Sequence, residues 1–330
     1  MFMTKSKMWF FIMLMTSTLI ILSSKNWMSM WMGLEFNLLS FIGLISATKN
    51  KMKSQAIMMY FLTQSMSSMI LIFSLMINYF LMSTIMMSPI FKSIMIIGLL
   101  IKVGAAPFHM WVPEIMFKLK WMEATILMTW QKLGPLFMTS ALCQNNWMMS
   151  VSIILSSMMG AIGGLNTTSL KKIMAYSSIS NMGWMLMLIA QQGNWYLYWI
   201  VYSVIVATIN NIFNKWNSLF INQMTMNTPS LSSKFIIAMS VLSMGGLPPF
   251  LGFLPKWMVI QSMIYNGSFI IMLLMIMMSL ITLIYYMRMI SSALMLYSPM
   301  IKWMYKTPSK MTHLMFINTM LPLFLVLSYL

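Results

Sequence analysis

Long apolar segments, separated by short polar connections, follow one another along almost the whole chain. A helix needs about 17 to 25 mostly apolar residues to cross the hydrocarbon core of a bilayer. Apolar residues make up 60% of the 330 residues and charged residues only 7%, which leaves too little polar surface to cover a water-soluble domain. The sequence therefore predicts an all-α polytopic membrane protein.

Eleven segments are apolar over the required length and are predicted to be transmembrane helices. They lie near 8–23, 27–46, 56–79, 90–106, 122–142, 148–168, 173–191, 195–214, 235–262, 268–290 and 313–330. The basic, apolar start of the chain has no small-residue cleavage site after it, so we interpret it as the first span and not as a signal peptide. No connection is rich enough in Gly, Ser or charge to divide the chain, and residues 1–330 are predicted to form a single transmembrane domain.

The basic residues between the predicted spans provide an independent test of this count. Loops on the inner side of a membrane carry an excess of Lys and Arg. If the N-terminus lies on side A, fifteen basic residues fall on that side and two on side B. Side A carries Lys5, Lys7, Lys49, Lys51, Lys53, Lys118, Lys120, Lys171, Lys172, Lys215, Lys234, Arg288, Lys302, Lys306 and Lys310, and side B carries Lys25 and Lys92. A missed or falsely assigned span would move the basic residues that follow it to the opposite side and remove this asymmetry. The pattern therefore favours eleven spans with an inner N-terminus and an outer C-terminus.

Two of the predicted spans, 90–106 and 235–262, are interrupted by glycine and proline. Residues 104–108 (GAAPF) in the first match residues 246–250 (GLPPF) in the second, five spans later. An odd spacing, here five spans, inverts the second copy in the membrane relative to the first. Inverted repeats with paired broken helices are the architecture of many secondary transporters. The sequence thus predicts an antiporter-like inverted repeat with two broken helices.

Glu35 and Lys102 both lie inside predicted spans, where an ionisable side chain indicates a functional site by default. A carboxylate at that depth needs a partner, and Lys102 is the natural candidate for Glu35. One interpretation is a switchable ion pair whose separation leaves each group desolvated and so drives proton transfer. The alternative is a fixed structural ion pair that pins two helices together, although a buried pair is weak evidence for stability.

Lys132 and Lys256 are two further lysines at membrane depth. Lys132 lies in the middle of the fifth span and is followed by Gly134 and Pro135, while Lys256 lies just past the second break. Because desolvation penalises the charged form of an amine, such lysines can exchange protons near neutrality. Either side chain could instead extend to the membrane interface, an alternative that weighs more for Lys256 because the break obscures its depth.

His109 follows the first break and could relay protons, since histidine titrates close to working pH. An interfacial histidine with a structural hydrogen bond is an equal alternative. Glu114 and Glu123 flank a turn on side A that also contains Lys118 and Lys120, and a solvated surface cluster is predicted for them. His313, at the start of the last span, is predicted to be interfacial.

Several chemistries are excluded by what the sequence lacks. Cys143 is the single cysteine, so there is no disulfide within the chain and no cysteine set for a zinc or iron–sulfur site. There is no glycine-rich phosphate loop and no nucleophile triad. The net charge of +17 does not indicate nucleic-acid binding, because the lysines are scattered between apolar runs and not clustered on one face. We predict no cofactor or metal bound by this chain and no nucleic-acid partner.

Five motifs in a fixed order resemble the antiporter-like membrane subunits of mitochondrial NADH–ubiquinone oxidoreductase, respiratory complex I. They are GLEFNLLSF (33–41), KVGAAPFHMWVPE (102–114), TWQKLGPL (129–136), MAYSSISNMGW (174–184) and GGLPPFLGFLPKW (245–257). The likeness covers almost the whole chain.

The resemblance implies a core subunit of the membrane arm that translocates protons across the mitochondrial inner membrane. That transport would be coupled to electron transfer from NADH to ubiquinone, as one part of an H⁺-translocating NADH:ubiquinone reductase. NADH, FMN, iron–sulfur clusters and ubiquinone would be used by other subunits. The implied partners are other membrane-arm subunits, including a second antiporter-like subunit and small core membrane subunits, and lipids such as cardiolipin. Side A would face the matrix, with the C-terminus in the intermembrane space.

The resemblance also implies roles for individual residues. Glu35 and Lys102 would be the coupling pair, Lys132 the central relay lysine, and Lys256 the lysine of the second broken helix that leads to the exit. Asn181 departs from the pattern, because many relatives carry a histidine at this position. A relay role is therefore not carried over to Asn181, although its amide could still hold a water.

The residues alone leave two other functions open. A stand-alone cation/proton antiporter is compatible with the pattern of buried lysines, but it would need a carboxylate site for a metal cation. A scaffold subunit, whose buried charges only hold helices together, is the second alternative.

Overall fold

The computed structural model describes residues 5–46, 51–81, 89–142, 147–224 and 231–294, and the regular structure in these ranges is almost entirely helical. The helices are α1 (Lys5–Ser23), α2 (Trp27–Ser46), α3 (Lys51–Leu81), α4 (Pro89–Val103), α5 (Trp111–Lys118), α6 (Trp121–Met128), α7 (Leu133–Leu142), α8 (Trp147–Leu165), α9 (Leu170–Ala190), α10 (Trp195–Lys215), α11 (Leu231–Gly245), α12 (Phe253–Tyr265) and α13 (Phe269–Leu294). A short 3-10 turn, Trp130–Lys132, separates α6 from α7. The predicted all-α class is confirmed.

Seven helices of the described ranges are long and apolar enough to cross a membrane. They are Ser6–Ser23, Trp27–Ser46, Lys51–Asn78, Trp147–Leu165, Leu170–Ala190, Trp195–Lys215 and Phe269–Leu294, and each coincides with a predicted span. The total of eleven is not confirmed, because the predicted spans 90–106, 122–142 and 235–262 contain shorter helices. The eleventh predicted span, 313–330, lies outside the described residues, as do His313, Lys49, Lys302, Lys306 and Lys310.

Close approaches between residues group the chain into two compact units, Met1–Ser156 and Ser157–Leu330. The first unit contains α1 to α7, with the first broken helix. The second contains α9 to α13, with the second broken helix, and the boundary falls inside α8. The expectation of a single transmembrane domain stays a prediction.

Small residues allow three helices of the first unit to approach one another around Ile21. A Cβ added at Gly33 of α2 would lie 2.6 Å from Ile21 Cγ1, and one added at Gly134 of α7 would lie 2.8 Å from Ile21 Cδ1. Helix packing in membranes depends on such close approach, because lipid offers no hydrophobic driving force between apolar helices. This packing brings α2, which carries Glu35, close to α7 and the turn that precedes it.

The first broken helix has the local structure that its sequence predicts. Helix α4 ends at Val103, and Gly104 follows with a φ of +75°, a backbone conformation that favours glycine. The amides of Gly104 and Ala105 both donate to the carbonyl oxygen of Leu100, at 3.0 and 3.1 Å, which closes the end of the helix. The chain becomes helical again at Trp111.

The second broken helix repeats this arrangement in the other unit. Helix α11 ends at Gly245, and Gly246 has a φ of +72°. Prolines at 248 and 249 cannot donate a backbone hydrogen bond, so the helix does not continue through them. Helix α12 begins at Phe253. The two broken helices predicted from the GAAPF and GLPPF matches are both present.

The structure adds a third interruption, in the predicted span 122–142. Helix α6 ends at Met128, and the 3-10 turn Trp130–Lys132 leads into α7. Pro135 has no N–H to offer the carbonyl of Gln131, four residues earlier, so one bond of a continuous helix cannot form there. The Thr129 hydroxyl donates to the carbonyl of Thr125, at 2.7 Å, at the end of α6.

Candidate functional site

Glu35 and Lys102 lie together, as the sequence suggested. Lys102 is in the last turn of α4, and its Nζ is 3.6 Å from Oε1 of Glu35 on α2. The Lys102 side chain is 2% exposed and that of Glu35 is 28% exposed. Within the described residues Glu35 Oε1 has no hydrogen-bond partner. The two charges therefore attract each other across a gap that is too long for a hydrogen bond.

The helix break that positions Lys102 is stabilised by side chains from neighbouring elements. Gln64 Nε2 of α3 donates to the carbonyl oxygen of Lys102 at 3.3 Å, and the indole of Trp111 donates to that of Ile101 at 3.2 Å. The last carbonyls of a helix have no intrahelical donor. Gln64 and Trp111 supply two of these missing donors, so the end of α4 is held where Lys102 reaches α2.

Lys132 is 4% exposed and lies in the 3-10 turn between α6 and α7. Its side chain lines a cavity of about 20 Å³ that is also lined by Lys102. Four polar residues complete the polar part of the lining: Asn37, Tyr60, Gln64 and Gln131. A cavity of this size has room for about one water molecule. Two lysines thus face one small polar space, and Lys132 does not extend to the surface of the chain.

A hydrogen-bonded chain of three side chains borders this cavity. The Tyr60 hydroxyl donates to Oε1 of Gln131 at 3.1 Å, and Gln131 Nε2 donates to Oδ1 of Asn37 at 2.8 Å. These contacts join α3, the 3-10 turn and α2. Sequence reasoning missed Asn37, Tyr60 and Gln131, because neutral polar residues in apolar spans most often only bond across helices. The sequence signal that could have pointed to this chain is that Gln131 directly precedes Lys132.

Lys256 is 9% exposed and donates a hydrogen bond of 2.8 Å to the carbonyl oxygen of Gly245. Its amine is therefore bound inside the second broken helix and does not extend to the surface of the chain. Lys256 also lines a cavity of about 10 Å³, together with Ser180, Asn181 and Tyr286. The Oδ1 of Asn181 accepts a hydrogen bond of 3.2 Å from the Tyr198 hydroxyl.

His109 is buried, at 3% exposure, and its Nδ1 lies 3.2 Å from the carbonyl oxygen of Pro107. A structural hydrogen bond of His109 was one of the two alternatives left open by the sequence, and this contact within the loop of the first broken helix is of that kind. A relay role for His109 stays a prediction. Glu114 is exposed, as a surface cluster predicted. The same prediction is wrong for Glu123, which is 3% exposed and forms an ion pair with Lys53.

The described residues contain no group of three or more His, Cys, Asp or Glu side chains that could hold a metal ion. What the geometry does provide is three buried amines, those of Lys102, Lys132 and Lys256, next to spaces the size of a water molecule, and the first of these amines is close to the Glu35 carboxylate. Such a set can hold and pass protons, because each amine can bind or release one.

This fold and these buried charges define an antiporter-like membrane subunit. The chain belongs to the family described as NADH:quinone oxidoreductase/Mrp antiporter, transmembrane, whose model matches residues 24–282. Within that family, its curated relatives are named NADH-ubiquinone oxidoreductase chain 2. One of them, from Anopheles gambiae, is 44% identical over 306 residues, covering 90% of this chain and 88% of the relative. The family resemblance carried by the five sequence motifs is confirmed.

Solved structures share the fold at much lower sequence identity. A chain of respiratory complex I from Thermus thermophilus with bound aureothin has a TM-score of 0.81 at 17% identity, and the match covers 88% of this chain and 71% of that chain. A chain of the Mrp complex from Dietzia sp. has a TM-score of 0.79 at 15% identity, covering 86% of this chain and 59% of that chain. These matches show that the arrangement of helices is shared.

Proposed function

We propose that this chain is a proton-translocating core subunit of the membrane arm of respiratory complex I, in the mitochondrial inner membrane. Its transport would be coupled to electron transfer from NADH to ubiquinone, for which other subunits bind NADH, FMN, the iron–sulfur clusters and ubiquinone. The observation that carries the proposal is the Glu35–Lys102 pair beside a cavity that Lys132 also lines. The names of the relatives support the choice of complex.

The loose contact between Glu35 and Lys102 suits a switch better than a fixed connection. An ion pair that only pinned helices would gain from a direct hydrogen bond, whereas these atoms are 3.6 Å apart. A buried ammonium without its counter-charge is costly. A change in the pairing would therefore drive a proton between Lys102 and the water-sized cavity beside it. Lys132 is the next proton-binding group at that cavity.

In the second unit Lys256 would continue the path towards the exit. Its partner is a backbone carbonyl, which can accept a hydrogen bond from the amine whether or not it is charged. His109 is a further proton-binding group of the first unit, buried in the loop of the broken helix. We propose that protons enter from the matrix side and pass along Lys102, Lys132 and Lys256.

The proposed partners are the neighbouring subunits of the membrane arm, including a second antiporter-like subunit and small core membrane subunits. Lipids such as cardiolipin would cover the remaining surface. Large apolar side chains are exposed on the outer faces of the helices, for example Met66 at 68% and Ile270 at 79%. Surfaces of this kind fit lipid or other transmembrane helices.

A stand-alone cation/proton antiporter is less well supported. The likeness to a chain of the Mrp complex shows a shared fold and no more. The chain has only three acidic residues. Of these, Glu114 is exposed and Glu123 is paired with Lys53, which leaves Glu35 alone for a cation site.

The proposed function is tested by replacing Lys132 with Met in the assembled complex and measuring protons transported per electron in inner-membrane vesicles. We expect assembly to continue and the ratio to fall, because Met fills the space of the lysine but binds no proton. Lys215→Met, at an exposed lysine, is the control and should leave the ratio unchanged. An unchanged ratio in an assembled Lys132→Met complex would support the scaffold alternative.

A further inference from the structure

A second buried Lys–Glu pair lies in the first unit, away from Glu35 and Lys102. Lys53 Nζ of α3 is 2.5 Å from Oε1 of Glu123 on α6, and the two side chains are 3% and 4% exposed. This contact is a direct hydrogen-bonded ion pair, unlike the 3.6 Å gap between Lys102 and Glu35. The proton path proposed above does not use it.

Glu123 uses its other carboxylate oxygen to organise the start of α6. Oε2 accepts a hydrogen bond of 3.1 Å from the backbone N–H of Lys120, which precedes the first residue of the helix. An acidic side chain in the first turn also interacts favourably with the helix dipole. Glu123 is thus bonded both to α3 and to the beginning of the segment that leads to Lys132.

A second contact joins the same two elements further along. Tyr60 lies seven residues after Lys53, and Gln131 lies eight residues after Glu123, and the Tyr60 hydroxyl donates to Gln131 Oε1 at 3.1 Å. Seven residues are close to two helical turns, so Tyr60 lies on the same face of α3 as Lys53. Gln131 directly precedes Lys132. The segment from Glu123 to Gln131 is therefore bonded to α3 at both of its ends.

The two contacts are separated by apolar residues. Ala56 on α3, and Ala124 and Leu127 on α6, are buried between them. The interval spans about two helical turns, or roughly 10 Å, and its buried side chains are apolar, while the hydroxyls of Thr125 and Thr129 donate to carbonyls of α6 itself. The Lys53–Glu123 pair is thus not joined to the cavity as a step of a relay. Its effect on Lys132 must come through the placement of α6.

We propose that Lys53 and Glu123 are positioning residues: their ion pair fixes where the segment carrying Lys132 lies against α3, and so where the Lys132 amine meets the cavity. This inference rests on the proposed function. A buried ion pair is a poor way to gain stability, and its best-attested use is to specify register. In this protein, the register is the position of α6 and the 3-10 turn along the length of α3.

The test uses the assembled complex in inner-membrane vesicles. Glu123→Gln keeps an oxygen for the Lys120 amide but removes the charge, and Lys53→Met removes the cation. We expect both to slow proton-coupled turnover by about 10- to 100-fold, the effect of a misplacement of about 1 Å, and to lower protons per electron. Lys53→Arg keeps the cation and should retain most of the activity. Lys51→Met, at the exposed lysine one half-turn earlier, should have no effect.

A double variant separates positioning from simple loss of assembly. Lys53→Met with Glu123→Met fills the same volume and leaves no unpaired charge, so we expect normal assembly but persistent loss of protons per electron. Full recovery of the ratio in this variant would overturn the proposal. A structure of the Glu123→Gln complex provides a second readout, in which we expect Lys132 Nζ to be displaced relative to Lys102 Nζ. An undisplaced Lys132 would also overturn it.

Lys132→Met, measured alongside, distinguishes the two proposals. If Lys132→Met lowers protons per electron while Glu123→Gln and Lys53→Met do not, the positioning role is wrong and the proposed function stands. If Lys132→Met leaves the ratio unchanged, the proposed function fails. The displacement of Lys132 in the Glu123→Gln structure then still decides whether the pair positions it.

Discussion

The amine of Lys256 donates a hydrogen bond of 2.8 Å to the carbonyl oxygen of Gly245, eleven residues earlier in the chain. Gly245 is the last residue of α11 and Lys256 is in the first turn of α12. The last carbonyls of a helix lack intrahelical donors and attract cations. One lysine therefore joins the two halves of the second broken helix.

Replacing Lys256 with Met should destabilise this break. The Gly245 carbonyl would lose its donor, and a buried unsatisfied acceptor costs about 1–3 kcal/mol. Lys256→Arg retains a donor and should lose less. The measurement is the thermal stability of the purified complex, together with the rate of proteolysis between α11 and α12. Equal stability of the Met variant and the unmodified complex would contradict the prediction.

Gly246→Ala should destabilise the same break, while its neighbour provides a matched control. Gly246 has a φ of +72°, and a Cβ there would lie 2.9 Å from Lys256 Cδ and 3.1 Å from the Gly252 carbonyl oxygen. The conformation alone costs about 1–2 kcal/mol for a residue other than glycine. At Gly245 an added Cβ meets only Tyr286 Cδ2, at 3.6 Å, so Gly245→Ala should be tolerated. Thermal unfolding of both variants checks this difference, and similar losses would count against it.

Replacing one residue of the Glu35–Lys102 pair and replacing both should affect the stability of the complex differently. Either Glu35→Gln or Lys102→Met leaves one charge without its partner. The loss should lie below the value of about 3–5 kcal/mol for a fully buried pair, because the Glu35 side chain is 28% exposed. The double variant leaves no such charge and should recover stability, while proton transport stays lost. A double-mutant cycle on thermal stability, combined with protons per electron, measures both effects. Additive stability losses would show that the two residues are not coupled.

Replacing Arg288 should lower the stability of the complex even when the positive charge is kept, because the shape of the guanidinium matters. Its guanidinium donates to the carbonyl oxygens of Leu165 and Thr167, both at 2.5 Å, and of Gly164 at 3.4 Å. It therefore caps the end of α8 from α13. A lysine cannot reproduce this planar set of donors, and Arg288→Lys should lose about 1.5–3 kcal/mol, the value of one hydrogen bond to a charged group. Thermal stability checks it, with Lys215→Met as the control; a loss no greater than that of the control would refute the capping role.

Local sequence chemistry predicted much of this fold. Apolar length located the seven long helices, and the glycine and proline of GAAPF and GLPPF located two of the breaks, because these residues act on the backbone directly. Lys102 and Glu35 could be paired from sequence, since each is a charge inside an apolar run and few partners exist. The third break was less visible, because its signal is one glycine and one proline, Gly134 and Pro135, inside an otherwise helical pattern.

The partners of Glu123 and Lys256 could not be read in this way. Glu123 lies close in sequence to Lys118 and Lys120, which suggested a surface cluster, but its partner Lys53 is 70 residues away. Lys256 binds a backbone carbonyl, and backbone atoms carry no signature in the sequence. Gln131 and Asn37 are neutral, so neither stood out before their hydrogen bond was seen.

The sequence by itself determined the class of protein, the positions of the long helices, the two glycine–proline breaks and which charged residues lie inside apolar segments. These depend on the cost of placing each residue in lipid or in a helix, which is a local property. Only the tertiary structure decided that Lys102 and Lys132 share one cavity, that Lys256 is bound within its own broken helix, and that Lys53 and Glu123 are buried together. Such contacts depend on which faces of distant helices meet, and that follows from the packing of the whole unit.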